Sequence, residues 1–271
     1  MKGLMLAAVL LLVAAPARAQ DNAAAQVMSH FAKGVRSAKA GDWVTYRFDG
    51  GGMRVYYWRM AVVGEEKDKL GRDATWVEME AGTHPAMKSP LMQMRMLVAR
   101  EGEQINFDAI TRLYIGGPFS RPQEYSDEAL AHVMKKMGQE AAESGKPDPE
   151  DDKEPPLPAG LKPVLRSGKE TRLMTLAGTV TAVQLELMVK RTVVKRMWLS
   201  REIPLLQLAK IEIPGIAHSM EVAEYGIDAK PRMLMPPPNL PKVQLEYADR
   251  VFPDLPTGEP SKDSEAPEKQ P

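Results

Sequence analysis

Apolar residues recur along this chain with a helical period in two places and with a period of two almost everywhere else. In residues 22–39, Val27, Met28, Phe31 and Val35 fall at helical spacing, with Lys33, Arg36 and Lys39 toward the end. This stretch is expected to be an amphipathic helix closed by Gly41-Asp42. Alternation then takes over. Val44, Tyr46 and Phe48 share one face of WVTYRFD, Asp49-Gly50-Gly51-Gly52 signals a hairpin turn, and MRVYYWRMAVV runs back. A charged turn over 65–73 containing Gly71 leads into ATWVEMEA, where Thr75, Val77 and Met79 alternate with Trp76, Glu78 and Glu80. LMQMRMLVA, EQINFDA and TRLYIGG continue what reads as a β-meander.

The helical period returns at 124–145. Ser126 is the expected N-cap, Asp127 and Glu128 stand in the first turn, and Leu130, Val133, Met134, Met137 and Ala141 form an apolar stripe. The acidic, Pro-rich segment 146–158 is expected to be a flexible loop; it lacks the spaced ligands and glycine of an EF-hand calcium loop. Strands resume with ETRLMTL, TVTAVQLELMV, VVKRMWL, LAKIEI and SMEVAEYG. Between the third and fourth, Ser200 and Pro204 break the pattern, as expected of a sheet corner. Residues 253–271 are Pro-rich and polar and are expected to be disordered. The fold class is mainly β (α+β): one domain over 20–252 with about ten strands. These are expected to form an antiparallel curved sheet or incomplete β-barrel, with the two amphipathic helices on its concave side.

The N-terminus changes this picture by assigning a compartment. Lys2, an apolar run over 4–15 and Ala17-Arg18-Ala19 fit a signal peptide over 1–19, too short to span a bilayer. No later stretch is long enough, so a periplasmic or otherwise exported chain without stable transmembrane insertion is the expectation, and no lipid-anchoring Cys follows the apolar run. The chain has no Cys at all, which removes disulfides, thiol nucleophiles and thiolate metal sites and leaves stability to the core. Its formal charge of zero provides no footprint for nucleic acid.

Catalytic chemistry finds little to stand on. There is no G-x-S-x-G, H-E-x-x-H or phosphate-cradling glycine loop, and His30, His84, His132 and His218 are scattered without zinc-ligand spacing. Glu78 and Glu80 share a strand face and could act as paired carboxylates. A solvated outer face is the expected reading, because the opposite face of that strand is apolar. A non-enzyme without a cofactor is therefore expected.

Methionine is the remaining candidate chemistry. Met92, Met94 and Met96 fall two apart and Val98 extends the row, so a strand places all four on one face. Same-face sulfurs then lie within about 7 Å, and thioethers suit Cu(I). The 18 Met residues, however, are spread through nearly every element, which points to a soft apolar interior instead. Plain core, an adaptable cavity and a copper strip all remain open. In the cavity reading Met92, Met94, Met96, Val98, Val133 and Met137 line it.

The phrases AGDWVTYRF, MAVVGEE, ATWVEMEA, LMQMRMLV, MWLSREIPLLQLAKIEI and MEVAEYG, in that order, resemble a group of exported bacterial β-rich proteins. That group is similar in plan to the periplasmic lipoprotein-carrier and lipoprotein-receptor proteins. The resemblance covers most of 40–228 and implies an incomplete β-barrel that binds acyl chains without catalysis, with a lipid or a lipoprotein as partner. The acidic insert at 146–158 departs from the plan. The sequence thus points to a periplasmic protein handling an apolar or acyl-chain ligand. A Cu(I)-binding protein and an envelope scaffold are the alternatives.

Overall fold

The alternating segments pair into one antiparallel sheet. The structure, a computed structural model, describes residues 38–50, 55–102, 104–118, 120–144, 164–189, 191–214 and 218–248. Its strands are β1 (Trp43–Gly50), β2 (Tyr56–Lys67), β3 (Asp73–Gly82), β4 (Met92–Glu101), β5 (Gln104–Gly116), β6 (Gln123–Glu124), β7 (Val164–Thr175), β8 (Gly178–Val189), β9 (Thr192–Leu199), β10 (Leu208–Ile213) and β11 (His218–Gly226). Their order is β6-β5-β4-β3-β2-β1-β11-β10-β9-β8-β7, so β6 and β7 stand at its two ends and the sheet is not closed. Two meanders meet at the β1–β11 pair, where Trp43 faces Gly226 and Gly50 faces His218.

Several boundaries differ from the sequence reading, each for a local reason. The charged turn shrinks to the residues between Lys67 and Asp73. Asp68 organises it: its carboxylate accepts the N–H groups of Leu70 at 2.8 Å and Arg72 at 2.9 Å, while Gly71 takes φ +76°. EQINFDA and TRLYIGG form the single strand β5, because no turn residues separate them. The mismatch is absorbed by irregular pairing around Val98. The break at Ser200 and Pro204 is the tight connection between β9 and β10, where Leu205 and Gln207 adopt left-handed backbone.

One α-helix stands among the described residues, α1 (Asp127–Ser144). Ser126 caps it as expected: its Oγ accepts the Ala129 N–H at 3.2 Å, and its carbonyl accepts that of Leu130 at 2.9 Å. The buried side chains Ala129, Leu130 and Val133 turn the helix toward β5. The other expected helix (22–39) falls outside the described residues except for its last two positions, which are not helical. The expected signal peptide, the acidic insert and the tail also lie outside them.

The sheet has two unlike faces. The inner face, defined here as the one carrying α1, is apolar in rows that cross the strands. Val44, Met60, Met79, Met94 and Ile115 stand in lateral register on β1 to β5. In the second meander Leu185, Met197, Ile211 and Met220 line up with Phe48 of β1. Both rows belong to one continuous core. At ~1.5–3 kcal/mol for each large apolar side chain fully removed from water, such rows are the main source of stability in a chain without Cys. After β11 the chain crosses to the outer face as a strap, residues 227–248. Met233 of this strap is buried against Trp76, Leu97 and Tyr114. Val243 then pairs beside Tyr125, its N–H donating to the Glu124 carbonyl at 2.7 Å, and enters the inner core with Ala248.

Candidate functional site

The methionine row stands where the alternation places it. Met94, Met96 and Val98 point into the inner core with Val133 of α1, and all four are at most 3% exposed. Met92 is also buried, in register with Ala81. Met137 is on α1, but its side chain lies outside the described part of the structure. Lateral pairing adds neighbours that spacing along one strand could not reveal. Met79 sits directly opposite both Met60 and Met94, and directly opposed side chains approach more closely than the i, i+2 neighbours of a single strand.

The two halves of the inner face are not equally covered. On β2 to β4 most of its side chains are sealed, as are Leu113 and Ile115 of β5, whereas Ile105, Phe107 and Ile110 of β5 are half-buried. On β7 to β9 the same face continues through Leu165, Leu187 and Met197, which are only half-buried. Lys195 occupies this half. It is opposite Leu187 and two positions from Met197, so regular alternation along β9 puts its side chain on the apolar face. Burial pulls its ammonium pKa below the ordinary lysine value, and no carboxylate of the described residues pairs with it. Its neighbour Arg196 points the other way and pairs with Glu186 at 3.2 Å. No motif marks Lys195 in the sequence. The available signal was a cation in phase with Val193, Met197 and Leu199.

The outer face of β2 to β4 corrects an expectation. Glu78 and Glu80 do point outward, yet they are 1% and 3% exposed instead of solvated. The strap covers them, and the strands provide matching cations: Arg59 opposes Glu80, and Arg95 opposes Glu78. Every carboxylate oxygen is occupied. Glu78 Oε2 accepts the Arg232 N–H at 2.8 Å, and its Oε1 accepts from Met233 N–H at 3.4 Å and Arg95 at 3.5 Å. Glu80 Oε1 accepts from Gln93 at 3.0 Å, and its Oε2 accepts from Arg59 at 3.2 Å and Arg232 at 3.1 Å. Such a cluster fastens the strap to the sheet and leaves no carboxylate oxygen aimed at a substrate. Among the described residues no group of three or more His, Asp or Glu side chains could hold a metal ion, and no helix is long and apolar enough to cross a membrane.

No protein-family model matches the sequence, and no curated protein matches it. Solved structures with slight overall likeness include a candidate exported protein with a YmcC-like fold from Bacteroides fragilis. It is 9% identical, with a TM-score of 0.32, over 71% of this chain and 98% of that one. MucB is 11% identical with a TM-score of 0.32, over 76% of this chain and 61% of its own length. A candidate lipoprotein from Parabacteroides distasonis is 9% identical with a TM-score of 0.29, over 71% of this chain and 98% of that one.

Proposed function

We propose that this is an exported, non-enzymatic protein that holds an apolar or acyl-chain ligand on the inner face of its unclosed sheet. The observation that carries the reading is the uneven cover of that face. Met92, Met94, Met96 and Val98 are at most 5% exposed, which leaves little room for a ligand beside them. The same apolar surface continues half-open across Leu165, Leu187 and Met197 toward β7, the last strand of the order. A chain laid along this half would meet side chains that the described residues do not fully cover. Methionine at Met197 suits such a surface because the thioether side chain adapts to irregular partners. Export is supported by the pattern of residues 2–19.

Native mass spectrometry of the protein purified from its own host, followed by solvent extraction, tests the reading. A bound mass recovered as lipid is the expected result, and ligand-free spectra would reject it. Copper retained in place of lipid, and lost in Met94→Leu, would favour a thioether site around Met60, Met79 and Met94 instead.

A further inference from the structure

Resting on that reading, we infer that Lys195 anchors the anionic head of a single-chain amphiphile, a long-chain carboxylate, whose tail runs along the half-open inner face. A basic side chain on a core-facing strand position normally has an anionic partner or points to the opposite face. The neighbouring cations obey this rule. Arg196 pairs with Glu186 across the outer face, and Lys210 pairs with Glu212 at 2.8 Å. Lys195 departs from it. Its cross-strand partner is Leu187, which is itself flanked by Leu165 on β7. On β10 the register that sets Glu212 against Arg196 brings Ile213 alongside. Lys195, itself half-buried, therefore stands among apolar strand positions of β7, β8 and β10, in surroundings that disfavour its charge unless an anion arrives.

Charge and shape select the ligand class. One ammonium balances one negative charge, as a carboxylate provides, whereas a dianionic phosphate would leave a charge unmatched in apolar surroundings. Beside Lys195 the half-buried side chains of Met197, Leu187 and Leu165 continue the apolar surface, along which an alkyl chain can lie with its head held at the ammonium. A lysine whose stem merely covers apolar surface while its head reaches water would show no such preference.

Binding of dodecanoate and of dodecanol to the full, delipidated chain, followed by titration calorimetry, tests the inference. The wild type is expected to bind dodecanoate at least about tenfold more tightly, a difference of about 1.4 kcal/mol. Lys195→Met should bind both equally and keep its circular dichroism spectrum, and Lys195→Arg should keep the preference. Equal binding of the two ligands by the wild type would overturn the anchor while leaving the acyl-chain reading in place. So would a preference that survives in Lys195→Met. Failure of both ligands to bind the wild type would remove that reading and the anchor with it. A preference that appears only after deletion of residues 146–158 would assign Lys195 to the chain's own acidic segment and also overturn the inference.

Discussion

Glu78 carries a carboxylate where water scarcely reaches. Burial is the largest influence on it and raises its pKa; the N–H groups of Arg232 and Met233 and the charge of Arg95 oppose this, Glu80 adds to it, and the net direction is upward. A carboxyl that holds its proton more tightly in the folded than in the unfolded chain makes folding less favourable as pH rises from the ordinary carboxylate value through the raised one. That stability returns on acidification through the same window. Glu78→Gln keeps an acceptor for the strap but cannot titrate, so its urea midpoint should vary less with pH across that window. A slope identical to the wild type would show that Glu78 does not titrate there. Its neighbour Arg59 is pushed the other way, chiefly by burial and next by the charge of Arg232, despite its bond to Glu80. Such pairs roughly break even against their desolvation, so the cluster fixes where the strap lies more than how strongly it is held. The sequence showed Glu78 and Glu80 in phase with Trp76, and Arg95 in phase with Leu97. That mixture of large apolar and charged side chains on a nominally polar face was the legible hint of a covered surface. What covers it comes from 154 residues away, beyond any local pattern.

On the outer face the strap is held by one apolar side chain, while Val243 and Ala248 hold its end in the inner core. Met233 is 5% exposed and fills the outer cluster with Trp76, Leu97 and Tyr114, while Leu234 beside it is exposed. Met233→Ala should therefore destabilise the protein by ~2–5 kcal/mol, read as a lowered urea midpoint. A change under about 0.5 kcal/mol would mean that the strap contributes little to global stability. Elements with a period were legible from sequence: α1 through its cap and stripe, and the long strands through alternation. β6 and the strap were not. They have no period, and their places follow from backbone pairing of Val243 with Glu124 and Ser126 and from the buried carboxylates. Lys195 stands between these cases, since its phase was visible and its lack of a described partner was not.

At the scale of the whole molecule, hairpin signals made each meander readable, because antiparallel neighbours joined by short turns declare themselves locally. The seam between β1 and β11 has no such signal. Trp43 and Gly226 are brought together across nearly the whole described chain. That pairing has a kinetic side. Each meander can form from contacts close in sequence, whereas the seam must wait for a long loop to close, so it should set the slow step of folding. Until β11 arrives, the β1 edge is unpaired, and the β11 of another copy would fit it equally well. Refolding at high protein concentration should accordingly yield exchanged dimers, separable by size-exclusion chromatography and rare when the chain refolds dilute. A chain that emerges N-terminus first exposes β1 long before β11 is available, so its most vulnerable interval comes before its last strand is free to pair.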